Sequence, residues 1–93
     1  MQFIQIVDEN GVRLPLQHRY IEDAIRTGGT CRAILPFGES LASIKSSDNL
    51  ITTKIGNTVI KQEHRDNAAI YNATLRFLQL AIHMEQEVNI ATT

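Results

Sequence analysis

The chain is poor in the residues that usually announce a chemistry. It has one cysteine, two prolines, three histidines, no tryptophan, two tyrosines and three phenylalanines in 93 residues. A single cysteine, Cys31, excludes an internal disulfide framework and fits a reducing compartment. So few aromatics leave nothing to interleave with cations as a stacking platform for single-stranded nucleic acid. Nine Lys and Arg against ten Asp and Glu give a net charge of -1, so attraction to nucleic acid is not built into the molecule as a whole. A local basic patch is left open. No apolar run reaches the roughly 18 residues of a membrane span, and no membrane partner is expected. The first ten residues, MQFIQIVDEN, lack a basic segment and meet an acid at Asp8. No secretory leader is expected on that pattern, and the reading is cytoplasmic.

What is present reads as one globular domain, 1–93, with the last four residues, Ile90 to Thr93, expected to fray. Phe3, Ile4, Ile6 and Val7, then Asn10-Gly11, then Val12 to Leu16 predict a hairpin with a two-residue turn. That register sets Val7 opposite Leu14, Asp8 opposite Arg13 and Glu9 opposite Val12. Pro15 cannot donate to a ladder, which makes the second strand an edge or ends it. His18 to Thr27 carries Ile21, Ala24 and Ile25 at helical spacing and stops at Gly28-Gly29, a left-handed C-cap.

Thr30 to Pro36 predicts a strand and Phe37 to Ser40 a turn. Leu41 to Lys45 reads as a weaker strand or a helical turn, because its apolar residues do not alternate, and Ser46 to Asn49 as a loop. Ile51 to Ile55 and Thr58 to Gln62 flank Gly56-Asn57, a type II′ hairpin. Its expected faces are Ile51, Thr53, Ile55, Thr58 and Ile60 inward, with Thr52, Lys54, Val59 and Lys61 outward.

A long helix follows, from Glu63 or Asp66 to Val88. At about 100° per residue its apolar side chains fill an arc of roughly 220°, wider than one sheet needs. Asn72, Arg76, Gln79, His83 and Glu87 form the polar remainder. The surplus predicts that Tyr71, Leu75, Leu78 and Ile82 form one half of a symmetric dimer contact. The order β-β-α-β-(β)-β-β-α predicts an α+β fold: a small antiparallel sheet of hairpins packed against a short and a long helix.

Chemical motifs are sparse. His64-Arg65-Asp66 spells a kinase catalytic triplet, but the asparagine needed five residues after the Asp is Tyr71, and the residues read instead as a polar helix start. His83 and Glu87, four apart, supply at most half of a metal site, and Cys31 within a strand reads as a small buried hydrophobe. Asn72-Ala73-Thr74 matches a glycosylation sequon inside a helix and is read as coincidence. No catalytic residue, metal or cofactor is expected.

The one ligand candidate is Arg26-Thr27-Gly28-Gly29-Thr30-Cys31-Arg32, where two glycines admit an anion to backbone N–H groups and two arginines flank them. Its weakness is direction, since it follows a helix C-terminus. The expected function is that of a small non-enzymatic homodimeric binding protein, a regulator or inhibitor of an unidentified protein target. Its size is compatible with a phage or mobile-element (viral) accessory protein. The alternative is a nucleotide or nucleic-acid binder using Arg26, Gly28, Gly29, Thr30 and Arg32 with Lys54 and Lys61.

Overall fold

The structure, a computed structural model, describes residues 3–91. The chain runs β1 (Gln5–Val7), β2 (Arg13–Leu14), α1 (His18–Arg26), β3 (Thr30–Ile34), β4 (Ser40–Ser47), β5 (Leu50–Ile55), β6 (Thr58–His64) and α2 (Asn67–Ala91). All strands join one antiparallel sheet in the order β2-β1-β3-β4-β5-β6. Both helices lie against one side of it, the α+β arrangement expected.

The first turn departs from expectation. Ile6 pairs with Leu14 and Val7 with Arg13, one residue out of the expected register. The cause is Asp8, whose carboxylate accepts the backbone N–H of Asn10 and of Val12, both at 2.9 Å. Its own N–H donates to the carbonyl of Val12 at 2.9 Å, and Gly11 takes a φ of 80° that favours glycine. Asp8 is therefore spent on the turn and does not face Arg13. β2 ends before Pro15 and forms one edge of the sheet, as a missing donor requires.

The region read as a weak strand and a loop is a full hairpin. β4 buries Ala42, Ile44 and Ser46 on one face, so alternation is present but carried by small and polar residues. Asp48 and Asn49, at φ 53° and 64°, make the two-residue type I′ turn into β5. Between β5 and β6 the Gly56-Asn57 turn forms, with Gly56 at φ 57°. The register then shifts at Thr53/Lys54, which pairs Lys54 with Val59 but Lys61 with Thr53. An extra residue in one strand swaps the faces beyond it, so Lys61 moves to the helix side.

α1 ends in a Schellman cap: Gly28 N–H donates to Ile25 O at 3.0 Å and Gly29 N–H to Ala24 O at 3.2 Å. α2 begins where Asp66 caps it, its carboxylate accepting Ala69 N–H at 2.8 Å, which fixes the start later than Glu63. Glu63 belongs to β6 and holds Arg76 of α2 at 2.9 Å. α2 continues through Ile90 and Ala91, past the expected end at Val88; Thr92 and Thr93, also expected to fray, lie outside the described residues.

The core is the seam between helices and sheet: Ile4, Ile6, Ile21, Ile25, Ile44, Ile51 and Phe77, all fully buried. Glu85 clips the chain start to this seam, because its carboxylate accepts the N–H groups of both Phe3 and Ile4. Charge-assisted acceptance by one side chain replaces the ladder partners that a strand start lacks. Removing it leaves two backbone donors unmatched beside a buried Ile4. A Glu85→Ala variant is expected to lose about 1–3 kcal/mol in urea unfolding and to expose the Ile4 amide to hydrogen exchange.

Candidate functional site

The glycine loop is a helix end and not an anion cradle. The N–H groups of Gly28 and Gly29, which an anion would need, are donated to carbonyls of α1. Thr27 Oγ1 likewise donates to Ala24 O at 2.9 Å. The hollow beside the loop, about 130 Å³, is lined by Asp8 and Glu9 as well as Thr27, Gly29 and Thr30. Two carboxylates in so small a space repel an anion.

The flanking arginines also part company. Arg26 turns back along α1, where its guanidinium meets Glu22 at 2.6 Å and donates to Asn67 Oδ1 at 3.0 Å. Arg32 lies in β3 on the opposite side of the sheet, opposite Ser43 of β4. Of the hairpin lysines, Lys54 shares that outer side and Lys61 does not. Of the proposed anion ligands, Thr30, Arg32 and Lys54 remain together.

They are joined by residues not singled out from the sequence. Lys45 stands between Thr30 and Thr52 in the pairing, and Arg13 takes the outer side next to Val7. Neither placement was legible: Lys45 sat in a stretch without apolar alternation, and the face of Arg13 depends on the turn that Asp8 reshapes. A hollow of about 530 Å³ opens over this face, lined by Arg32, Lys45 and Lys54 together with serine, threonine and glutamine side chains, and by Asn57 and Val59 at the β5–β6 turn.

The flank of α2 expected to pair with a second copy is partly used within the chain. Leu78 packs against the core. Tyr71 tilts against the His18 ring at 4.6 Å between centroids, and its carbonyl lies 3.3 Å from His18 Nε2. Yet Tyr71 remains 51% exposed and Ile82 40% exposed, with Leu75 half-buried between them. A second apolar hollow, about 390 Å³, runs between Leu41 and Ile55 of the sheet and Met84 and Val88 of α2.

The remaining candidates are structural. Asp66 of the HRD triplet is the α2 cap, and His83 meets Glu87 at 3.1 Å on open surface. Cys31 is fully buried, and burial pushes its thiol up to about 12, with Asp8 adding in the same direction. Ser46, Thr53 and Thr74 are buried hydroxyls without hydrogen-bond partners, and the fold offers no account of them.

Comparison with protein-family models, with curated proteins and with solved structures gives no match to this chain.

The thiolate is the reactive form of cysteine, so native Cys31 is expected to resist alkylation at pH 8 and to react only through unfolding. Well below pH 9 the thiol is neutral folded and unfolded, so it adds no pH dependence there. Between pH 9 and about 12 only the unfolded chain gives up the proton, and stability falls as pH rises. Urea midpoints of the wild type and Cys31→Ala across this window measure the effect, which the variant should lose.

Proposed function

We propose that this chain is a non-enzymatic binding protein that works as a symmetric dimer and acts by occupying a partner. The observation that carries the dimer is how little of α2 its neighbour covers. α1 spans nine residues and meets α2 near its start, Arg26 against Asn67 and His18 against Tyr71. α2 spans 25 residues, about 37 Å, so its flank beyond that crossing has no helical cover. Leu75 and Ile82 lie on this flank, one turn and three turns past Tyr71, at the spacing of a helix-to-helix seam.

A two-fold contact through such a flank is self-complementary, since each copy presents the same stripe. Binding as the activity is supported by the surfaces left over. The outer side of the sheet is turned away from both helices and mainly polar, and a dimer through α2 leaves it free to meet a partner twice.

Light scattering of the wild type is expected to give twice the 10.4 kDa of one chain. Ile82→Glu, at a half-exposed site, should give one chain's mass with unchanged circular dichroism, because a buried uncompensated carboxylate opposes the contact. A wild type that stays monomeric at high concentration would sink the dimer.

A further inference from the structure

On the side of the sheet turned away from both helices, one row of paired residues crosses all six strands: Arg13, Val7, Arg32, Ser43, Lys54, Val59. Beside it runs a second row, Thr30, Lys45, Thr52, Gln62, in which the Gln62 amide donates to Thr52 Oγ1 at 3.2 Å. With strands about 4.8 Å apart, Arg13, Arg32 and Lys54 fall roughly 10 Å from one another in turn, and Lys45 sits diagonally between the last two. No Asp or Glu takes an outward position on any of the six strands. Among the described residues none of these four cations makes an ion pair. A molecule of net charge -1 thus keeps a face whose outward strand positions carry only positive charge.

We propose that this face binds the sugar-phosphate backbone of a nucleic-acid duplex. The inference rests on reading the chain as a binding protein and does not require it to be a dimer. Charge complementarity selects a polyanion, since a duplex presents one negative charge per about 1.7 Å of its axis. The neighbours of Arg32, Lys45 and Lys54 select phosphate: serine, threonine and glutamine are the neutral donors that accompany Arg and Lys on phosphate oxygens. The absence of aromatics from the face argues for paired bases, because single strands are held by stacking their bases on aromatic rings. It also argues against a protein partner, whose anchoring contacts draw on tyrosine, tryptophan and other large apolar residues. The hollow over Arg32, Lys45 and Lys54 gives the sheet a concave surface for a convex backbone. Asp8, Glu9 and Asp48 gather at the turns of one end and close the face to phosphate there.

The test is fluorescence anisotropy of a labelled mixed-sequence duplex titrated with the full chain at several salt concentrations. Four phosphate contacts predict a slope of log K against log salt of roughly -3.6, and so about a hundredfold loss of affinity between about 50 and 200 mM salt. Arg32→Gln should weaken binding to all sequences alike and reduce the slope by about 0.9. Lys45→Gln, at an exposed site, should do the same and provides a second variant should the first fold poorly. Arg19→Gln removes an equal charge from the helix side and should leave the slope unchanged.

No binding at low salt, an equal response to Arg19→Gln and Arg32→Gln, or tighter binding of a single strand or a polyglutamate peptide of matched charge would each overturn the proposal. Light scattering on the same samples separates it from the dimer. A monomer that holds duplex removes only the assembly, and a dimer indifferent to duplex removes only this partner.

Discussion

The structure depends on a mismatch of widths. Six strands make a sheet about 24 Å across, whereas a helix with its side chains is about 10 Å wide, so two helices cover roughly four strands on one face. Everything apolar must gather under that cover. Ile6, Ile21, Ile25, Ile44, Ile51 and Phe77 do so, and β6 beyond it is exposed along nearly its whole length. An uncovered edge strand invites pairing with other chains, and β6 carries Lys61 and Glu63, charges of the kind that discourage it. The opposite face is turned away from both helices and carries mainly polar and cationic side chains, with Val7 and Val59 among them. Burial on one side and polarity on the other are one constraint seen twice.

Length repeats the mismatch along the other axis. A nine-residue α1 cannot flank a 25-residue α2, so α1 meets α2 only near its start, and Tyr71 and Ile82 on the flank stay half-exposed. The excess width legible in the sequence therefore has a physical origin in the shortness of its neighbour. Part of the arc is nonetheless used within the chain, because Leu78 packs against the core and Tyr71 meets the His18 ring. Angular position on a helix gives direction, but which directions are covered depends on the elements that pack there.

Legibility followed the kind of interaction involved. Local rules found both helices, the Gly28 cap, the Gly56-Asn57 turn and the α+β class. Register failed twice, each time through one residue. Asp8 captured the N–H groups of its own turn, and the extra residue in β6 between Val59 and Lys61 turned Lys61 to the other face. Because side chains alternate with a period of two, a slip of one residue reassigns a whole face. The candidate site suffered most, since it was a statement about faces. Glu85 escaped for a related reason: it sits inside the apolar arc, where only the distant N–H groups of Phe3 and Ile4 explain a carboxylate.

Net charge hid the distribution of its signs. The carboxylates are largely consumed in local tasks at the helix side or the turns: Glu22 with Arg26, Glu63 with Arg76, Glu85 with the chain start, Asp66 capping α2 and Asp8 closing a turn. Each task needs an acceptor, and backbone N–H groups and helix N-termini supply donors that only an anion or carbonyl can match. Cations have no such backbone role in a sheet, so Arg13, Arg32, Lys45 and Lys54 fall to the uncovered face by exclusion. Their stems cover apolar surface while their heads stay in water, and Val7, only 5% exposed between Arg13 and Arg32 in the pairing, fits that arrangement. A near-neutral chain becomes two-sided because several of its acids have structural work on the helix side and at the turns, whereas Arg13, Arg32, Lys45 and Lys54 make no ion pair among the described residues. That sidedness, rather than total charge, is what the proposed duplex would meet.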